Sequence, residues 1–273
     1  LSGFAAFAER YDGFILDLWG VIHDGVKPYP GVLDCLARLR AAGKRVVFLS
    51  NAPRRPAGIV ATLAGMGVSG DLYDGIMSSG EAVFCGLRDG GFGEIGSRVF
   101  HLGPARDRDV FEGLGFQEVS QIGGADFCVN TGPDDLRGPS DVSDYVEVLG
   151  AGVKAGVVMI CANPDLEVVR DGVRIICAGA LAEWYAGAGG RVIWRGKPDA
   201  AIYAPTLAML GTERGRTLAV GDSVRTDLAG AQAAGVDAVW VLGGVAGVGV
   251  AGADGVLRDA GLRVVGVLEG FAW

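Results

Sequence analysis

The chain has 273 residues, half of them apolar, and a formal net charge of −8. That length suits one large α/β domain or two domains with separate cores. The acidic balance, without a basic run or basic–aromatic interleaving, excludes nucleic acid and an anionic membrane surface as main partners. An anionic substrate would need a local cationic site rather than a global field. Cys35, Cys85, Cys128, Cys161 and Cys177 are dispersed without a C-x-x-C pair, which predicts reduced thiols in a cytoplasmic protein. With His23 and His101 as the two histidines, a zinc centre is not expected. The longest uncharged stretch, 238–253, is too short and too rich in glycine for a membrane span, which needs ~20 apolar residues.

In chain order, Phe4, Phe7 and Tyr11 recur at helical spacing and predict a short amphipathic helix over 1–11. Phe14, Ile15 and Leu16 form an apolar run that reads as a buried strand and delivers Asp17 at its C-terminal end. A loop follows from Trp19 to Tyr29. Pro30-Gly31 opens a helix with Val32, Cys35, Leu36 and Leu39 on one face, stopped at Ala42-Gly43. A second buried strand over 45–49 ends in Ser50-Asn51, so a right-handed parallel crossover is expected. A helix over 59–66 is capped by Gly67.

From about residue 80 the alternation repeats. Strands are predicted at 98–102, 126–129 and 157–161, helices at 107–114, 141–149 and 179–186, and a turn at Asn163-Pro164-Asp165. A strand over 191–194 then leads into Gly196-Lys197-Pro198 and a helix over 200–210. A strand over 217–220 ends in Gly221-Asp222-Ser223, a helix over 227–234 stops at Gly235, and a strand follows at 238–242. The last third repeats the pattern of the first. The economical reading is a discontinuous core, 1–80 and 183–273, with an inserted domain over 81–182.

Four predicted strands end in polar groups: Asp17, Ser50-Asn51, Lys197, and Asp222 with Asp227. Open parallel sheets bind ligands at the C-terminal ends of their strands. Asp17 and Asp222 together suit a hard cation such as Mg2+. Lys197 and the Ser50 hydroxyl suit the oxygens of a phosphate. Such a set is that of a phosphoryl-transfer site. Each residue alone has a plainer reading, Asp17 as a turn former and Lys197 as a solvated loop lysine. Convergence at the strand ends is what favours chemistry.

Asp17-x-x-Gly20-Val21, Ser50-Asn51, Gly196-Lys197-Pro198 and Gly221-Asp222-x-x-x-Thr226-Asp227 resemble the motifs of the haloacid dehalogenase superfamily. The insert between the second and third motifs, with His23-Asp24-Gly25 and Asn163-Pro164-Asp165, is similar to subfamily IIA. These are the NagD-like sugar-phosphate and nitrophenyl phosphatases. The resemblance implies a Rossmann-like parallel-sheet core with an inserted α/β cap of C2 type. It implies that Asp17 attacks phosphorus and forms an aspartyl-phosphate, while Ser50 and Lys197 hold the phosphoryl group. It implies Mg2+ held by Asp17, the backbone carbonyl of Trp19 and Asp222, with Asp227 in support. Asn51 would orient the phosphate or the nucleophile's loop. The cap, with Asn163 and Asp165 foremost, would select a small-molecule phosphate ester, and relatives of this type often dimerise through it.

One position departs from the pattern. Phosphatases of the superfamily carry a second Asp two residues after the nucleophile, where it protonates the leaving group and then activates water. Here Trp19 stands there. An indole donates a hydrogen bond but is no acid or base near neutral pH. His23 and Asp24 on the same loop are the candidates to replace it. Three other readings are carried. The first is a phospho-ligand binding or regulatory protein with a degenerate site. The second is C–halogen or C–P cleavage on the same nucleophile. The third is dinucleotide binding at the G-x-G-x-x-G run 247–252, which the short remaining chain argues against.

Overall fold

Apolar runs become strands and amphipathic stretches become helices in the computed structural model, which describes residues 3–170, 173–243 and 250–273. The strands in chain order are β1 (Gly13–Leu16), β2 (Arg45–Ser50), β3 (Gly75–Ser78), β4 (Arg98–Leu102), β5 (Gln117–Glu118), β6 (Phe127–Asn130) and β7 (Val158–Cys161). They continue as β8 (Glu167–Arg170), β9 (Val173–Ile176), β10 (Val192–Trp194), β11 (Thr217–Gly221), β12 (Asp237–Val241) and β13 (Gly266–Leu268). Residues 247–249 of the G-x-G-x-x-G run lie outside the described residues.

The chain divides into two compact units. The first comprises Leu1–Ser50, Ala57–Met77 and Lys197–Trp273. Its six-stranded sheet has the order β13-β12-β11-β1-β2-β3. β1 lies inside it, parallel to β11 and to β2, with Leu16 level with Val220 on one side and Phe48 on the other. All four β1 residues are buried, which is why this strand is a continuous apolar run rather than an alternating one. The expected N-terminal helix shrinks to Ala5–Ala8. Its aromatic residues are held by tertiary packing, Phe4 standing 4.7 Å from Phe271 and 5.3 Å from Phe14.

The second unit comprises Asn51–Pro56 and Ser78–Gly196. Its five strands are all parallel, in the order β10-β7-β6-β4-β5. Side chains alternate between two apolar clusters. Phe127, Val129 and Ile160 pack with Val83 and Val99, while Cys128, Met159 and Cys161 pack with Tyr145, Leu149 and Leu181. The period of two places one cluster on each face, as in a doubly wound sheet. A hairpin of β8 and β9 follows the Asn163-Pro164-Asp165 turn.

The expected return to the core at 183 is corrected here. β10 pairs with β7, Val192 opposite Met159 and Trp194 opposite Cys161. The helix Ala178–Gly187 belongs to the same unit, and the chain re-enters the first unit at Lys197. A short apolar strand carries no mark of which sheet edge it will join. The expected helix over 107–114 is a 3-10 segment, Ala105–Val110, ended before the positive-φ glycines Gly113 and Gly115. The expected helix over 227–234 opens with a π-helical turn, Val224–Leu228.

Candidate active site

Asp17 follows directly on β1, and its backbone N–H still donates to Val220 at 2.9 Å, so the parallel ladder fixes the base of its side chain. Asp222 follows directly on β11, and Asp227 closes the turn after it. The carboxylates of Asp17, Asp222 and Asp227 are buried and offer oxygens that all lie within 4.8 Å of one another. Lys197 Nζ, itself buried, donates to Asp17 Oδ1 and to Asp227 Oδ1 at 2.6 Å each. Asp227 is also anchored by Ser223, whose backbone N–H donates to its Oδ2 at 3.1 Å. Burial, the neighbouring Asp227 and Asp222 raise the Asp17 pKa well above the usual carboxylate range, against the pull of Lys197. Burial opposes the charge on Lys197, but Asp17 and Asp227 more than offset it and raise its pKa.

Three carboxylates against this ammonium leave two formal negative charges in a desolvated pocket. An all-oxygen donor set of that excess fits a hard divalent cation such as Mg2+. Gly20 permits the arrangement. Its φ is +84°, and a Cβ there would stand 2.1 Å from Asp222 Oδ2.

The loop after Asp17 is packed onto itself. The Trp19 indole stands edge-on to His23, ring centroids 5.8 Å apart. Its far edge lies where Gly25, at φ +90°, has no side chain, since a Cβ there would come within 2.3 Å of Trp19 Cη2. His23 Nδ1 accepts from the Gly25 N–H at 3.0 Å. Asp24 Oδ1 accepts from the backbone N–H groups of Lys27 and Val26 at 2.8 and 2.9 Å, which hold its carboxyl below the usual range. Asp24 is therefore an ionised turn carboxylate at neutral pH, not a proton donor.

Ser50 ends β2, buried, in the first unit. The other expected residues gather in the second unit. Asn51 Nδ2 donates to Asp165 Oδ1 at 2.9 Å, and Asn51 Oδ1 accepts from Ser79 Oγ at 3.3 Å. Asn163 Oδ1 accepts from the Asp165 N–H at 3.0 Å. Both ends of the Asn51 amide are thus engaged by protein. Three participants escaped the sequence reading. Ser79 is one. Tyr203, whose buried hydroxyl donates to the Asp227 carbonyl at 3.2 Å, is another, and Trp240, whose Nε1 donates to the Asp222 carbonyl at 2.8 Å, is the third. Tyr203 read as part of a helix and Trp240 as part of a strand, where a polar atom on a core-forming ring was the one available signal, and Ser79 carried none. The cysteines play no part: none is disulfide-bonded, and burial pushes the Cys35 and Cys177 thiols up to about 12.

A family model described as haloacid dehalogenase-like hydrolase matches residues 14–117, and a second HAD-hydrolase-like model matches 194–256. A solved hydrolase of the haloacid dehalogenase-like family from Brucella suis 1330 is 32% identical, with complete coverage of both chains and a TM-score of 0.88. The chain belongs to the haloacid dehalogenase-like hydrolase family. The 4-nitrophenylphosphatase of Schizosaccharomyces pombe is 32% identical over 44% of this chain and 39% of its own length. The glycerol phosphate phosphatase of Mycobacterium tuberculosis, solved in complex with magnesium, is 25% identical over 88% of this chain, with a TM-score of 0.69. In sequence the match spans 65% of that D-glycerol 3-phosphate phosphatase, so these two relatives are longer than the part this chain matches. Among the described residues, no helix is long and apolar enough to cross a membrane.

Proposed function

We propose that the chain is a Mg2+-dependent phosphatase of small-molecule phosphate monoesters, working through a phosphorylated Asp17. The observation that carries this reading is the buried trio of Asp17, Asp222 and Asp227 after the C-terminal ends of parallel strands, with Lys197 bridging Asp17 and Asp227. Lys197 engages Asp17 Oδ1, which leaves Oδ2 to attack phosphorus. The new O–P bond forms as the bond to the leaving oxygen breaks, and that oxygen takes the electron pair. Water then attacks the aspartyl-phosphate, releasing inorganic phosphate and the Asp17 carboxylate. Lys197 and the Ser50 hydroxyl hold the phosphoryl oxygens as charge redistributes. Asp17, Asp222, Asp227 and the Trp19 carbonyl would hold Mg2+, which when bound supplies charge neutralisation for the phosphoryl dianion.

The inserted unit takes the substrate-selecting role of a cap in this reading, with Asn163 and Asp165 acting on the Asn51 segment to which Asp165 is bonded. Five cysteines without a disulfide among the described residues support a cytoplasmic location. Exposed Leu136 and Val173 on the insert support a homodimer through that unit. Trp19 favours a second reading, a phospho-ligand binding or regulatory protein that keeps the pocket without the acid. A panel of aryl and alkyl phosphates with and without Mg2+, alongside Asp17→Asn, separates the two. Mg2+-dependent turnover that disappears in Asp17→Asn supports the phosphatase. Phosphate binding without turnover of any ester supports the second reading.

A further inference from the structure

Asp222 sits one residue beyond the end of a strand ladder. β11 and β12 pair in parallel up to Gly221 opposite Trp240. There the backbone of Asp222 leaves the sheet, and the next rung is supplied by a side chain. Trp240 Nε1 donates to the Asp222 carbonyl at 2.8 Å, and Trp240 is fully buried. A buried indole N–H requires an acceptor, and a buried carbonyl requires a donor, so each group satisfies the other.

We propose that Trp240 is a positioning residue for the metal site, its indole N–H fixing the peptide from which the Asp222 carboxylate projects. This rests on the proposed assignment of Asp222 to Mg2+. The carboxylate is constrained as well, lying where a side chain on Gly20 would be. Its backbone is therefore pinned by β12 while its tip abuts the loop after Asp17. The same pin stands at the root of the turn that carries Asp227, since the next residue, Ser223, donates its N–H to Asp227 Oδ2. A phenylalanine at 240 would keep much of the apolar packing and lose the donor. Releasing the Asp222 peptide would let its carboxylate adopt orientations that do not bind the cation.

The test is a calorimetric Mg2+ titration of the full chain carrying either Trp240→Phe or β-(3-benzothienyl)alanine at 240. The second keeps the bicyclic shape and lacks the N–H, so it separates hydrogen bonding from packing even if Trp240→Phe folds poorly. One neutral buried hydrogen bond corresponds to roughly a five- to tenfold change in affinity. We expect Mg2+ to bind about five- to tenfold more weakly to the benzothienylalanine protein, and Val239→Ala, a neighbouring packing change, to bind as wild type does. Wild-type affinity in the benzothienylalanine protein overturns the inference and leaves the metal assignment standing. Unchanged affinity in Asp222→Asn overturns the metal assignment itself, and the inference with it.

Discussion

Asp17→Asn is expected to abolish turnover and, in EDTA at pH 7, to stabilise the protein. The charge of Asp17 is repelled by two carboxylates whose oxygens lie within 4.8 Å and attracted by an ammonium at 2.6 Å. At an effective dielectric of about 20, each repulsion is at least about 3.5 kcal/mol and the attraction about 6 kcal/mol. The two repulsions together at least match the attraction, and the cost of burying the carboxylate adds to them. Asparagine removes that cost and keeps a carbonyl to accept from Lys197. A gain of about 1–3 kcal/mol follows for the metal-free protein. Burial and Asp227 raise the Asp17 pKa, so the folded state keeps this proton to higher pH than the unfolded chain does. The wild-type contribution is therefore full below about pH 4 and is lost as pH rises through the raised value. Denaturant unfolding of both proteins in EDTA at pH 4 and pH 7 measures the difference, which should be near zero at the lower pH. Adding Mg2+ should stabilise wild type more than Asp17→Asn. An Asp17→Asn protein less stable than wild type at pH 7 in EDTA would refute this account of the site.

Gly20→Ala should weaken Mg2+ binding by tenfold or more on calorimetry, because its Cβ would displace the Asp222 carboxylate. The positive φ adds strain of about 1–3 kcal/mol, visible as a lower Tm. Asn51→Asp places a carboxylate against Asp165 and removes the donor between them. A loss of about 2–4 kcal/mol is expected on denaturant unfolding, largely recovered when Asp165→Asn is added.

Part of the site is legible in the sequence. Asp17 and Asp222 each stand after an apolar run of one parallel sheet, and such ends converge whatever their separation in sequence. Lys197 also follows an apolar run, but that run is β10 of the other sheet, so the strand-end argument does not account for its place beside Asp17. The sheet that a short strand joins is not legible in this way. Val192–Trp194 has the same composition as a core strand, and its place is set by register with Met159–Cys161. Nor are the partners of Asn51, which is read beside Ser50 as a group that orients the phosphate or the nucleophile's loop. The structure commits both ends of its amide to Asp165 and Ser79, and those partners depend on tertiary approach. Trp240 illustrates the same limit. In the run Ala238-Val239-Trp240-Val241 it is one more buried apolar residue, and nothing local tells where its N–H points.

The loop from Trp19 to Lys27 bears on the chemistry as a unit. Trp19 fills the space that Gly25 leaves, Gly25 donates its N–H to His23 Nδ1, and Asp24 is tied to the N–H groups of Lys27 and Val26. Accepting that bond at Nδ1 leaves the neutral imidazole with its proton on Nε2, and protonating Nδ1 would forfeit the bond. Trp19, His23 and Asp24 are thus each occupied in ways that disfavour giving up a proton. A leaving oxygen must then depart as an anion or be protonated from elsewhere. Nitrophenolate departs readily without a proton and an alkoxide does not, so 4-nitrophenyl phosphate should turn over far faster than an alkyl phosphate. Trp19→Asp, if folded by circular dichroism, should raise alkyl-phosphate hydrolysis by up to ~10²–10⁴-fold, the usual range for a positioned acid. Because the indole rests on Gly25 and His23, its removal opens space on the loop, and the gain is best read from kcat rather than KM. Equal rates for aryl and alkyl esters in wild type would mean that another group supplies the proton, and His23→Ala and Asp24→Asn would then test whether it comes from this loop.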